Sequence, residues 1–140
     1  MREHHEEFNV RRGGGRVKGD VRISSDGRIV LNTETESRND LFGWKGYAWL
    51  EIYDTRGFHI YTTERLSIWA NARIVGRNDK VSKSITENMS SEITQIADTL
   101  DADLIVTDRN DSAINGFKIA VRDAKEGLEE LKDAFGEAFG

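Results

Sequence analysis

The sequence predicts an α+β fold: an antiparallel β-meander of about five strands packed against one or two amphipathic C-terminal helices, with one short extra strand as an option. Apolar and polar residues alternate over 16–23 and 66–75, which is the period of a strand with one exposed face, and residues 28–36 between them are rich in β-formers. Beyond residue 76 the apolar residues recur every three or four positions, which is the period of an amphipathic helix. Short polar turns separate the alternating runs, and strands joined in this way most simply pair with their neighbours in sequence.

The amino-terminal residues 1–15 are predicted to be a flexible segment, because they are mostly charged and end in the run Gly13, Gly14, Gly15. The remaining residues, 16–140, are predicted to form a single α+β domain, in which 16–76 make the β-meander and 77–140 the helical part. A chain of 140 residues is expected to bury one hydrophobic core.

Strands are predicted at residues 16–23, 28–36, 44–53, 58–63 and 66–75. Polar turns that end in Gly27 and Gly57 separate the first strand from the second and the third from the fourth. Glycine accepts the positive φ angle of such turns without steric cost. These two pairs of strands are therefore expected to form hairpins.

Two helices are predicted in the second half of the chain. The first would be capped by Asn78 or Asp79 and would bury a face made of Val81, Ile85, Met89, Ile93, Ile96 and Leu100. Residues 102–107 then form a short apolar run, which indicates either an added strand or an extension of that helix. The last helix would be capped by Asp111 or Ser112, and its apolar seam consists of Ile114, Phe117, Val121, Ala124, Leu128, Leu131, Phe135 and Ala138.

The composition and the motifs exclude several kinds of chemistry. The chain has no cysteine, so disulfides, thiolate catalysis and iron–sulfur clusters are ruled out. His4 and His5 fall in the segment predicted to be flexible and His59 stands alone on a strand, so no metal site is predicted. The glycine-rich run lacks the GK[ST] ending of a phosphate-binding loop, so no nucleotide or other cofactor is predicted.

Charge and hydropathy restrict the partners. A formal net charge of -5 argues against nucleic acid as the main partner, since phosphate binding depends on clustered Lys and Arg. No run approaches the roughly 20 apolar residues of a membrane span, and the amino terminus lacks the apolar stretch of a secretory signal. A cytoplasmic protein that does not associate with membranes is therefore expected.

The alternation also predicts a binding face rich in aromatic rings. If Ala48, Leu50 and Ile52 face the helices, the alternate residues of the last three strands point to the other side of the sheet. The predicted ligand-binding or partner-binding residues are Tyr47, Trp49, Glu51, Tyr53, His59, Tyr61, Trp69, Asn71 and Arg73. Rings beside hydrogen-bonding groups suit a protein contact or sugar stacking. The competing interpretation is that a helix, a second sheet or a neighbouring subunit covers these rings as core.

The seam of the last helix has two interpretations as well. The seam repeats about every 3.5 residues on average over more than three heptads, which is long enough for a coiled coil. Self-association through this helix is therefore one hypothesis. The other is that the helix packs on its own sheet, which needs one face covered. Gly127 lies within the seam and weakens the case for a long coiled coil.

These patterns together predict a binding protein that is not an enzyme and that contacts a protein partner, or itself, through the aromatic sheet face or the last helix. The alternative is a module that binds a carbohydrate or another small ligand on the same face. A third hypothesis is an enzyme of unknown chemistry, for which His59, Glu51 and Arg73 are the clustered candidates.

Overall fold

The computed structural model describes residues 3–39, 42–72, 80–96, 100–109 and 111–139, with only the backbone of 111–113 and 137–139. Within these ranges the chain forms eight strands and two helices. In chain order they are β1 (His4–Arg12), β2 (Gly15–Ile23), β3 (Arg28–Ser37), β4 (Trp44–Asp54), β5 (His59–Thr62), β6 (Leu66–Ala70), β7 (Lys80–Asn88), α1 (Ser91–Ile96), β8 (Leu100–Asp108) and α2 (Asp111–Phe139).

The strands form two antiparallel sheets. The first sheet has the order β1-β2-β3-β7. In the second sheet β4 lies in the centre and pairs with β8 along one edge. Its other edge is shared by β5 and β6, which pair with opposite ends of β4.

One hydrophobic core joins the inner faces of the two sheets. Alternate residues of β2 and β3 are buried, among them Val21 and Leu31, and the residues between them are less buried. From β4, Ala48, Leu50 and Ile52 enter the same cluster. Burying a large aliphatic side chain contributes about 2 kcal/mol relative to leaving it exposed. A shift of either sheet by one residue would lose that contribution at every buried position, so the alternation fixes the register.

The predicted α+β class with antiparallel strands and a C-terminal helix is confirmed. The five-stranded meander is only roughly matched, because the described residues contain eight strands divided between two sheets. The two predicted glycine turns are present, with φ angles of 92° at Gly27 and 95° at Gly57.

The first correction concerns the amino terminus: residues 1–15 were predicted to be flexible, but His4–Arg12 within them form strand β1. Strand β1 pairs with β2 along its whole length, and Phe8 and Val10 pack against the core. Gly13 turns the chain between the two strands with a φ angle of 54°, so the glycine run belongs to a hairpin turn. The sequence did not indicate this strand, because Phe8 and Val10 are its only apolar residues and because it is ordered by its pairing with β2.

The second correction concerns the helix predicted from residue 78 onward. Residues Lys80–Asn88 form β7, and within the described part of this stretch, 80–96 and Leu100, the helical residues are Ser91–Ile96; the predicted caps Asn78 and Asp79 lie outside the described residues. Val81 and Ile85 are four positions apart, a spacing that fits one face of a strand as well as one face of a helix. The free edge of β3 decides between the two, because β7 pairs with it along nine residues.

The run predicted at residues 102–107 is confirmed as a strand, β8, and α2 is confirmed as the last helix. Helix α2 packs mainly against β5, and its buried residues include Ala120, Ala124 and Leu131. The apolar seam of α2 therefore packs against other parts of the same chain. None of the helices among the described residues has the length and apolarity needed to cross a membrane.

Candidate functional site

Between Tyr47 and Tyr53, strand β4 places aromatic side chains on one side and aliphatic side chains on the other. Leu50 belongs to the core between the sheets, and Trp49 lies on the outer side of β4. There its ring meets the ring of Phe117 from α2 edge to face, with centroids 5.5 Å apart. Trp49 is 2% exposed, so α2 covers this part of the predicted binding face.

Tyr47 is half-buried at the border of the covered region. The guanidinium carbon of Arg65 lies 4.1 Å from the centre of the Tyr47 ring and 5.8 Å from that of Phe117. A cation above an aromatic face is attracted by the ring quadrupole. Arg65 therefore links Phe117 of α2 to Tyr47 on the outer side of β4.

Helix α2 also packs along a half-buried cluster at the β5 end of the sheet. The rings of Tyr53 and His59 stack with centroids 4.8 Å apart, and the Tyr53 hydroxyl donates to Glu51 Oε2 over 3.4 Å. Thr62 Oγ1 donates to the Ala120 carbonyl of α2 over 3.1 Å. Because the single hydroxyl proton of Thr62 is used there, His59 Nε2 is the donor in the 2.9 Å hydrogen bond between the two side chains.

The surroundings of this cluster shift two pKa values away from neutral pH. Burial and the carboxylate of Glu51 raise the pKa of Tyr53 to about 12. Burial lowers the pKa of His59, although Glu51 and Asp123 oppose the shift. His59 is therefore neutral at neutral pH and serves as a hydrogen-bonding and stacking group.

Acidification is expected to destabilise the fold through His59. Its folded-state pKa lies below the unfolded value of 6.5, so below pH 6.5 the unfolded chain binds more protons than the folded chain. Stability should fall as the pH drops from there through the folded-state pKa. The His59→Gln variant lacks this contribution, and urea unfolding between about pH 7 and about pH 5 should show a smaller loss of stability in the variant than in the wild type. Equal losses in the two proteins would contradict the assignment.

Tyr61 lies on the core side of its sheet, although the alternation predicted it on the aromatic face. Ile52 pairs with Tyr61 but Tyr53 pairs with His59, so one residue of β5 is extra. Such a bulge shifts the alternation, and Tyr61 shares the inner face with Ile52. Its hydroxyl donates to Glu87 Oε1 of β7 over 2.6 Å, and burial together with that carboxylate raises the pKa of Tyr61.

The opposite end of the second sheet carries the exposed members of the predicted face. Trp69 on β6 is 39% exposed, and Asn71 two residues later is also exposed. Both line a cleft of about 360 Å³, together with Lys45, Ser67 and Arg109. The predicted residue Arg73 lies outside the described residues.

A second exposed ring, Phe42, is found at the same end. Phe42 is 68% exposed, and the backbone of the next residue, Gly43, lies against Ala70 and Asn71. A Cβ atom on Gly43 would come within 2.7 Å of the Ala70 carbonyl oxygen, so the two backbone segments are in close contact. We call this surface the Trp69 patch; it consists of Phe42, Lys45, Ser67, Trp69, Asn71 and Arg109.

Positive charge surrounds the ring of Trp69. The Lys83 Nζ atom lies 4.2 Å from the centre of that ring. The Arg109 amide donates to the Lys45 carbonyl over 3.3 Å, which holds the end of β8 beside the start of β4. The described residues that line the cleft include Lys45 and Arg109 and no carboxylate. The patch is thus locally cationic on a chain whose formal net charge is -5.

The structure separates the predicted face into covered and exposed parts, and it adds residues that the sequence did not indicate. Lys45 falls on the same side of β4 as Tyr47, so the alternation along this strand could have indicated that Lys45 belongs to the site. Arg109 had no such signal, because only the pairing of Gly46 with Asp108 brings the end of β8 to this cleft. Phe42 lies in a loop, where no period applies.

Comparison of the chain with protein-family models, with curated proteins and with solved structures gives no match.

Proposed function

We propose that this protein binds an acidic segment of a partner protein through the Trp69 patch and does not itself catalyse a reaction. The observation that carries the proposal is the exposed Trp69 ring beside Lys45 and Arg109, in a cleft that no carboxylate among the described residues lines. An indole ring buries a large area on binding at a small cost in side-chain entropy, and Trp and Arg are enriched among the residues that dominate interfaces.

Charge complementarity favours an acidic occupant. Lys83 lies against the Trp69 ring, and Lys45 and Arg109 line the cleft beside it. A partner carboxylate at this place would meet cations and no competing anion from the described cleft residues. Complementary charges of this kind increase the association rate and disfavour partners of the wrong sign.

Two-fold self-association through the patch is less favourable for the same reason. In such an interface the same surface meets itself, which would bring the Lys45 and Arg109 side chains of two copies together. Association through the apolar seam of α2 competes with packing inside the chain, because Leu131 of that seam is fully buried. The acidic partner is therefore the occupant that the geometry supports best.

Substitution of Trp69 tests the proposal. The probe is a fluorescein-labelled peptide in which Glu and Asp alternate with apolar residues, and its binding is measured by fluorescence anisotropy. Because a central tryptophan typically accounts for about 2 kcal/mol or more of binding energy, Trp69→Ala should weaken binding about 30-fold. Lys45→Gln should weaken it less and should reduce its dependence on salt.

Ile119→Ala is the matched control, because Ile119 is 48% exposed on α2 and lies outside the patch. This variant should bind as the wild type does. A peptide with Lys in place of each acidic residue should not bind. Equal binding of both peptides, or wild-type affinity in Trp69→Ala, would refute the proposal. If a glycan quenched the fluorescence of Trp69 and no peptide bound, the ligand of the patch would be a carbohydrate instead of a protein. If the protein were a dimer that Trp69→Ala dissociates, the partner would be a second copy of the chain.

A further inference from the structure

The outer face of the first sheet carries a regular array of polar side chains. Pairing between the strands lines up Glu7, Asp20, Asn32 and Ser84 in one row across β1, β2, β3 and β7. This row and its neighbour line a shallow depression of about 780 Å³. Most of the side chains that face it offer an oxygen ligand, which is the chemistry of a surface that holds a cation rather than an anion.

Three potential metal ligands converge at one side of this depression. His5 and Glu7 are two positions apart on β1 and so share a face, and Glu7 pairs directly with Asp20 of β2. One ligand atom from each of the three side chains lies within 4.8 Å of the others. The strands bring these residues together, and the sequence could not show it because β1 reads as a flexible segment.

The pairing of two carboxylates needs a compensating positive charge. Glu7 and Asp20 stand directly opposite each other, and like charges in that position destabilise an antiparallel pair. Arg22 compensates only in part, because its Nε atom lies 3.9 Å from Asp20 Oδ1. The other oxygen, Oδ2, is 3.1 Å from His5 Nε2. An imidazole and two carboxylates thus face one point on the surface.

We propose that His5, Glu7 and Asp20 bind a divalent transition-metal ion, with Zn²⁺ as the best match. A tetrahedral zinc ion with bonds of about 2.1 Å holds neighbouring ligand atoms about 3.4 Å apart. The 3.1 Å between His5 Nε2 and Asp20 Oδ2 is close to that separation, so these two atoms need little movement. Rotation of the exposed Glu7 side chain supplies the third ligand.

The fourth position of the ion is left for a ligand from solution. Glu7 and Asp20 both line the depression, so an ion bound by them faces its open space. There a water molecule or an oxygen atom of a small polar ligand can complete the tetrahedron. This inference is independent of the proposed function, because the depression lies on the first sheet and the Trp69 patch on the second.

The test is a zinc titration of the full chain without an affinity tag, followed by isothermal calorimetry and by metal analysis after dialysis. One Zn²⁺ per chain is expected. Asp20→Asn and His5→Ala should each lower the affinity for zinc at least tenfold, because the remaining side chains cannot make up for the metal–ligand bond that each substitution removes. Mg²⁺ should bind more weakly than Zn²⁺, since it prefers an all-oxygen shell and imidazole does not suit it.

His4→Ala is the matched control. His4 is adjacent to His5 but points to the other side of β1, where its Nε2 atom lies 2.7 Å from Glu6 Oε2. This variant should bind zinc as the wild type does. The site would be disproved by the absence of stoichiometric zinc, by equal losses in His4→Ala and His5→Ala, or by an unchanged affinity in Asp20→Asn. Circular dichroism of the metal-free variants separates lost binding from lost folding.

Discussion

Replacement of Gly127 by alanine is expected to destabilise the protein by about 2 kcal/mol, although alanine is the better helix former. At Gly127 the backbone of α2 lies in close contact with the backbone of β5. A Cβ atom placed on it would lie well inside van der Waals contact of the His59 carbonyl oxygen and within 3.0 Å of the His59 nitrogen. Both atoms belong to the backbone of a strand and cannot rotate away. The helix would have to move from the sheet, and the loss should exceed the gain of about 1 kcal/mol from helix propensity.

Two other glycines of the same helix provide the control. Nothing lies within 4 Å of a Cβ atom built on Gly116 or on Gly136. Gly116→Ala should therefore raise the free energy of unfolding by about 0.5 to 1 kcal/mol. Urea unfolding of the three proteins measures the difference. If Gly127→Ala were as stable as Gly116→Ala, the close contact between α2 and β5 would be disproved.

Truncation of Leu131 is expected to have a larger effect, with a loss of about 3 kcal/mol in Leu131→Ala. Leu131 has 0% of its surface exposed and belongs to the hydrophobic core, where it anchors the second half of α2. Removal of three carbon atoms there loses the transfer free energy of the side chain and leaves a cavity that the two sheets can fill only in part. Chemical denaturation measures the loss as a lower midpoint.

Ile119 is the matched aliphatic residue on the same helix. It is 48% exposed, so Ile119→Ala should change the free energy of unfolding by less than about 0.5 kcal/mol. If both variants lost the same stability, α2 would not be anchored as described. If Leu131→Ala lost stability only at low protein concentration, the seam would be buried between two copies instead of within one.

These two predictions also bear on the proposed site, because α2 determines which rings remain exposed. The helix covers Trp49 by means of Phe117 and packs along β5 by means of Gly127. Trp69 is 39% exposed and lies at the end of the sheet opposite β5, the strand against which α2 mainly packs. A variant that loosens α2 should therefore increase the accessibility of Trp49 to a fluorescence quencher, while that of Trp69 stays the same.

Part of the fold and of the site could be read from the sequence. The alternation of β4 correctly separated Leu50 from Trp49, and the regular seam of α2 indicated a long helix with one buried face. Trp69 and Asn71 were predicted as binding residues from the alternation alone, and the structure places both at an exposed cleft. The spacing of apolar residues was sufficient to assign these positions, because the side of a strand or helix on which a residue lies depends only on local geometry.

The remaining features depended on partners that are distant in the sequence. Val81 and Ile85 have a spacing that suits both a strand and a helix, and the free edge of β3 settles the question. Tyr61 changes sides because of a bulge against β4, and no period reveals a bulge. His5 meets Asp20 only because β1 pairs with β2 in one particular register.

The sequence by itself determined the class of the fold, the long last helix and the alternating character of most strands, because these follow from the spacing of apolar residues along the chain. Only the tertiary structure decided that the strands divide into two sheets, that α2 covers the Trp49 side of β4, and that Lys45 and Arg109 stand beside Trp69. The physical reason is that a local period states which side chains share a face. It does not state which other element covers that face, and burial of the whole core makes that choice.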